Sequence, residues 1–294
     1  MISPKKITFN NKSNEDFGLI CDLCFEGGDN GETSSFLSRK AVTTETYNGA
    51  FRRSYGMKYD EVLAPKLTLM KRDFEDFTFE EQRAILSWLT SKHTASYMDV
   101  YMTDDDVAAD SPTYCLLGGI TEIETYKLGN NRTVGIVFTF ESLYPYALSK
   151  TIEITNADIK NGTILNNFII NCKTDDIESF VYPAIGVSFE ENCDLTITNK
   201  YLKDNNFITE TTTINGNTSK EEILIDSANK IITSSDKSRI FGKKFNWVWP
   251  RLYYGSNDFT LNVSTSNTSQ YPPVDVKYPI VGVSYRYPIK CGEF

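Results

Sequence analysis

The sequence predicts a mainly β protein in two domains, and three observations carry that reading. Short runs rich in Thr, Ile, Val, Tyr and Phe recur between clusters of Gly, Asn and Asp, at the spacing of sandwiches and barrels. One segment has helical periodicity. The length, 294 residues, suits one large or two modest domains, since single cores stop growing near about 250–300 residues, and two is the expectation. Hydrophobic residues make up 40% and charged residues 23%, enough apolar material for a packed interior and too little charge for a disordered chain.

The β-type runs fall at 44–47, 66–71, 97–102, 122–126, 133–140, 164–172, 184–189, 195–198, 222–226, 259–263 and 281–287. Two turns stand out between them. Around Gly129-Asn130-Asn131, residues that tolerate positive φ separate two alternating runs, which predicts a hairpin. Asn215-Gly216 has the composition of a two-residue hairpin turn and predicts a second, joining 207–213 to 221–225. The helix is placed at 79–92. Thr78 and Glu81 are spaced as a capping box, and Ile85, Trp88 and Leu89 recur on one face. A helix this short is marginal alone, so that face is expected to pack on a sheet. A domain boundary falls near Leu148-Ser149-Lys150, giving 1–148 with the helix and 149–294 with strand signals only. The polar stretches 199–220 and 264–273 read as surface loops.

Charge and topology signals exclude several function classes. Lys and Arg total 30 against 39 Asp and Glu, a net charge of −9, so nucleic acid meets repulsion. No stretch approaches the ~20 apolar residues that cross a bilayer, and Met1 to Thr8 lacks the apolar core of a secretory signal. Synthesis in a cytoplasm with reduced thiols is the expectation, under which the six Asn-x-Ser/Thr triplets are not glycan sites.

Candidate chemistry is sparse. Cys21-Asp22-Leu23-Cys24 has the spacing of half a zinc site or a redox pair, but a four-ligand site would need Cys115, Cys172, Cys193 or Cys291 to converge. The pair reads as strand thiols. His93 is the only histidine, so neither a Ser/His/Asp triad nor a His-based zinc pair can be assembled with spare partners. Its place after 79–92 suits interaction with helix carbonyls. Asp104-Asp105-Asp106 and Asp175-Asp176 lack the loop pattern of a calcium site and read as solvated acidic turns. Phe245, Trp247 and Trp249 alternate, which places all three on one strand face and reads as core, with sugar stacking as the competing use.

The order of several motifs resembles one family, the distal tail proteins (Dit) of long-tailed, non-contractile bacteriophages. In the first half these are Leu67-Thr68-Leu69-Met70-Lys71-Arg72-Asp73, the helix 77–89, Gly119-Ile120-Thr121-Glu122-Ile123-Glu124 and the closing 140–147. In the second they are Tyr182-Pro183, 195–199, Ile225-Asp226, 231–235, Phe245-Asn246-Trp247-Val248-Trp249-Pro250-Arg251-Leu252, Gly255-Ser256-Asn257 and 283–288. The resemblance implies an N-terminal β-sheet or split-barrel domain with one helix, then a galectin-like β-sandwich. It implies a structural, non-enzymatic virion protein without catalytic residues, cofactor or metal. Six copies would form a ring at the tail tip, their N-terminal domains making a belt that joins the tail tube protein to a tip or fibre protein and to a receptor-binding protein. No sequence-specific nucleic acid and no membrane insertion are implied. Copies at −9 each repel diffusely, so their interfaces require apolar or locally complementary surfaces, and an acidic bore would let DNA slide. The competing reading is a lectin-like module for host cell-wall polysaccharide. Exposed Trp247 or Trp249 would favour the lectin, and buried rings the hub.

Overall fold

The computed structural model describes residues 4–23, 39–45, 52–59, 62–128, 132–158, 163–264 and 278–290. They divide into two compact units, one from 4–150 with 288–290 and one from 151–287. The predicted mainly β class holds in both.

The first unit is an antiparallel sheet in the order Lys12–Ser13, Lys6–Phe9, Ser96–Tyr101, Tyr114–Leu128, Arg132–Ser142, Lys66–Lys71, Leu19–Leu23. Tyr114–Leu128 and Arg132–Ser142 form the predicted hairpin, paired down to Leu128 opposite Arg132, while the tip at 129–131 lies outside the described residues. Pro288–Ile289 returns to pair with Ala147–Leu148 in this same sheet. The core gathers Ile7, Leu67, Leu69, Met98, Leu116, Ile136, Phe138 and Phe140 beneath Ile85, Trp88 and Leu89.

Those last three residues belong to the helix Phe79–Leu89 and are its buried face, at the predicted spacing. The capping box is complete: Glu81 N–H donates to Thr78 Oγ1 (3.2 Å) and Thr78 N–H donates to Glu81 Oε2 (2.8 Å). Trp88 fixes the helix to the first strand, its indole N–H donating to the Phe9 carbonyl (2.7 Å) while Phe17 stacks on the ring at 5.0 Å. The helix stops at Leu89, short of 92. Thr90 donates through N–H and hydroxyl to Leu86 O, and Ser91 and Asn10 donate to Trp88 O, so the Leu86 and Trp88 carbonyls have partners other than His93. His93 is exposed beyond them, which corrects its expected capping role.

Glu81 also pairs with Lys71 Nζ at 2.9 Å. The Lys71 hydrogen bond, followed by the Thr78 N–H, holds its carboxyl below the ordinary 4.5. A lowered folded pKa stabilises above the unfolded value and is lost as pH falls through the folded one. The expected result is that Glu81→Gln lowers the melting temperature at neutral pH, and that the gap between variant and wild type closes as pH drops below 4.5. A gap independent of pH would show that the ionised carboxylate does not support this cap.

The second unit is a two-layer sandwich. One sheet runs Ile152–Thr155, Ile280–Tyr285, Ala184–Ser188, Glu222–Asp226, Ile231–Ser234, and the other Asn167–Cys172, Gly255–Ser264, Cys193–Lys203, Asn206–Asn217. Inward residues alternate along each strand. Ile185, Val187, Ile223, Ile225, Val281 and Val283 of the first sheet meet Ile170, Leu195, Ile197, Ile214, Phe259 and Leu261 of the second in one core.

Several expectations are corrected here. Asn215-Gly216 is not a hairpin turn, because Asn206–Asn217 runs through it and Glu222–Asp226 sits in the other sheet. Leu195 pairs with Ile214 and Cys193 with Asn217, so Asn215 and Gly216 together oppose Asp194. Gly216, at φ 64°, supplies the left-handed residue of a β-bulge. The hairpin turn is Asp204-Asn205, at φ 50° and 61°, between the paired Lys203 and Asn206. Most of the polar stretch 199–220 is therefore strand, and of its polar side chains Asn199, Thr212 and Asn217 are buried. Asp104-Asp105-Asp106 open a short helix, Asp104–Ala108, capped by Thr103. The run 164–172 splits into Thr163–Ile164 and Asn167–Cys172. Residues 46–47 of the first run and 265–273 of the predicted loop lie outside the described residues.

Candidate interaction surfaces

Among the described residues, no group of three or more His, Cys, Asp or Glu gathers in a way that could hold a metal ion. Cys21, Cys115, Cys172 and Cys193 are buried thiols. Cys21 lies in the strand Leu19–Leu23, while Cys24 and Cys291 lie outside the described residues. Burial pushes the Cys172 thiol up, and burial with the nearby Asp194 charge pushes Cys193 up to about 11, the opposite of an activated nucleophile.

The aromatic segment after residue 244 proves to be an edge cover. Asn206–Asn217 is the outer strand of its sheet, and such an edge offers unpaired backbone groups to any passing chain. The side chain of Asn246 stands in for the missing strand. Its Oδ1 accepts from Thr213 N–H (3.1 Å), and its Nδ2 donates to Thr211 O (2.8 Å). Thr212 Oγ1 donates to Val248 O (2.9 Å). Phe245 turns inward and is buried, and Trp249 is half-buried against the same core. Trp247 has φ 58° and points outward, 55% exposed. The expected one-faced strand is thus overturned, because a left-handed residue breaks the alternation.

The segment continues into a polar lock. Arg251 grips the Glu210 carboxylate through Nε (2.9 and 3.0 Å) and Nη2, and its guanidinium lies 3.7 Å from the centre of the Phe180 ring. Tyr201 donates its hydroxyl to the same carboxylate (3.0 Å), and burial together with the Glu210 charge raises the phenol to about 12. Asn199 Nδ2 donates to Arg251 O (2.8 Å), and Asn257 both donates to Tyr253 O (2.8 Å) and accepts from Tyr253 N–H (2.9 Å). These groups are consumed in holding 250–257 to the sandwich. Nothing in the composition of the segment marked Asn199, Glu210 or Tyr201 as its partners.

In the first unit the ribbon Arg39–Glu45 against Arg52–Tyr59 stands apart from the main sheet. Met57 and Tyr59 share one side, opposite Ala41 and Arg39, while a bulge in which Tyr55 and Gly56 together oppose Val42 breaks the alternation at Tyr55. Tyr59 meets Tyr146 at 6.0 Å, while Tyr55 is 62% and Met57 55% exposed. The two strands contain Arg39, Lys40, Arg52, Arg53 and Lys58 against the single acid Glu45, on a chain whose net charge is −9.

Comparison with known proteins defines the class. Residues 3–142 match a family model described as a phage tail protein N-terminal domain, and residues 144–271 match one described as a phage tail C-terminal domain. The chain belongs to this family of phage tail proteins. Its fold is that of the SPP1 Dit protein, whose structure is described as a paradigm of the hub adsorption apparatus in phages infecting Gram-positive hosts; the TM-score is 0.58 at 10% identity, covering 96% of this chain and 98% of that one. Two activated baseplate structures of phage p2, with calcium and with strontium, align over 99% of this chain and 99% of theirs, with TM-score 0.48 and identities of 10% and 11%. No curated protein matches the sequence. The distal-tail resemblance of the sequence motifs and the shared fold agree.

Proposed function

We propose that the chain is the hub of a phage tail tip: six copies close into a ring that joins the tail tube to tip, fibre and receptor-binding proteins, with the N-terminal unit as the belt. The reading is of a structural, non-enzymatic component. It rests most on the ribbon Arg39–Glu45/Arg52–Tyr59. A two-stranded hairpin is marginal in water without further packing, and in this one the side chains of Tyr55 and Met57 are more than half exposed. A neighbouring copy would bury them, and the basic ribbon would meet an otherwise acidic chain. A contact between two different patches is the type that closes a cyclic ring. The fold shared with SPP1 Dit, a protein of a hub adsorption apparatus by its description, supports the same reading.

The double substitution Tyr55→Glu/Met57→Glu should abolish assembly, so that light scattering reports a single chain, with circular dichroism unchanged. An assembly of undiminished mass would remove the ribbon from the interface. The polysaccharide-binding alternative has one observation in its favour, the exposed ring of Trp247. It predicts that host cell-wall polysaccharide quenches tryptophan fluorescence in the wild type and not in Trp247→Ala.

A further inference from the structure

The surroundings of Trp247 point to a protein rather than a sugar. Its indole N–H donates to Gly242 O (3.1 Å), and its ring meets Phe245 and Trp249 edge-on, at 5.5 and 6.2 Å, so the ring is held before any partner arrives. Trp247 has φ 58° and Gly242 φ 36°, both in the left-handed region. A Trp in the left-handed region is strained, and strain of this kind persists where surrounding structure imposes it. Here Asn246 on the strand edge imposes it. The groups beside the ring that could hold sugar hydroxyls, Asn246 and Thr212, are committed to backbone. Ile240, 79% exposed, lies beside Gly242, whose carbonyl holds the indole, and exposed Val248 follows Trp247 in the chain. Exposed Lys237, Lys243 and Lys244 flank them along the chain, Lys244 reaching toward Gly216, and outnumber the one carboxylate of 236–244, Asp236, which accepts from Ser238.

We propose that Trp247, Ile240 and Val248 form a docking anchor for a second tail protein, one that offers an apolar slot rimmed by carboxylates. The proposal rests on the tail-hub reading and assigns it a surface. A rigid aromatic centre with a charged rim is the arrangement that concentrates binding energy in a few residues. The lysine rim on a chain of net charge −9 selects an acidic partner by charge complementarity.

The test uses assembled virions in which Ile240 is replaced by p-benzoylphenylalanine. Irradiation should join position 240 to a different tail protein, at a peptide rich in Asp and Glu. Lys243→Glu/Lys244→Glu should cut the yield about tenfold or more, the loss of two rim charges at a steered interface. Trp247→Ala should weaken the complex about thirtyfold, as for a central aromatic anchor. A cross-link to another copy of this chain would overturn the assignment, as would a cross-link formed only to host wall polysaccharide. So would the absence of any cross-link combined with equal radical oxidation of Trp247 in free protein and virion. Rings formed by purified Trp247→Ala would show that a failure here leaves the hub reading standing.

Discussion

Arg239→Ala is expected to destabilise the sandwich by about 3–5 kcal/mol, the cost of stripping one partner from a buried ion pair. The side chain of Arg239 is 5% exposed and that of Glu221 1%, with Nε 3.5 Å from Oε1. Glu221 also accepts from Ser234 Oγ (2.7 Å) and Thr218 N–H (2.9 Å). Those contacts hold the carboxylate in place and do not neutralise it. The guanidinium meanwhile donates to Asn215 O (2.6 Å), Gly216 O and Asn217 Oδ1 (3.0 Å), the acceptors that the bulge at Asn215-Gly216 presents. Removing it leaves a buried charge and orphans the bulge together. Arg239→Lys keeps the charge but loses the planar fork, so it should fall between wild type and Ala. Arg239→Met/Glu221→Gln should recover much of the loss, because no uncompensated charge remains. Urea unfolding of the four proteins measures this. A loss below about 1 kcal/mol for Arg239→Ala, the scale of an exposed pair, would mean that water reaches the site.

Gly118→Ala should cost ~3 kcal/mol or more, at the upper end of what overpacking exacts, while Gly119→Ala should be nearly silent. Gly118 lies opposite Ser142 in the central hairpin of the first unit. A Cβ there would stand 2.0 Å from Glu141 O and 2.8 Å from both Glu141 C and Ser142 Cα. All three atoms are backbone, so no rotamer change relieves the clash and the strand pair must separate. At Gly119 an added Cβ meets nothing within 4 Å. Thermal melts of the two variants decide it. Equal melting temperatures would show that the pairing is looser than the geometry requires.

What the sequence made legible was whatever local chemistry decides. Thr78 and Glu81 predict the helix because both halves of the box lie within one turn, and Ile85, Trp88 and Leu89 give the buried face. The helix end was harder, since Asn10, from a turn distant in the sequence, helps to satisfy Trp88 O. Asn215-Gly216 illustrates the limit of a local signal. The same left-handed glycine serves a two-residue turn or a bulge, and the choice depends on Asp194 across the strand pair. The Asp204-Asn205 turn was readable in principle, lying between Tyr201 and Phe207, but the polar side chains around it resembled a loop. Arg239 with Glu221, and Arg251 with Glu210, are ion pairs whose members lie far apart in the chain, and no spacing rule connects them. Trp247 departs from its alternation because Asn246 is recruited to seal a strand edge, which only the folded sheet defines. The exposed ribbon was equally hidden, since the bulge opposite Val42 interrupts the alternation that Met57 and Tyr59 keep.

The central claim is the ring. Negative-stain electron microscopy of the purified protein, with its mass from light scattering, tests it most directly. The expected result is a six-fold annulus of about 200 kDa, six chains of 33.4 kDa each. That annulus should be lost in Tyr55→Glu/Met57→Glu and kept in Trp247→Ala. A closed ring of another copy number, or a 33.4 kDa monomer at every concentration and beside its tail partners, would contradict the account.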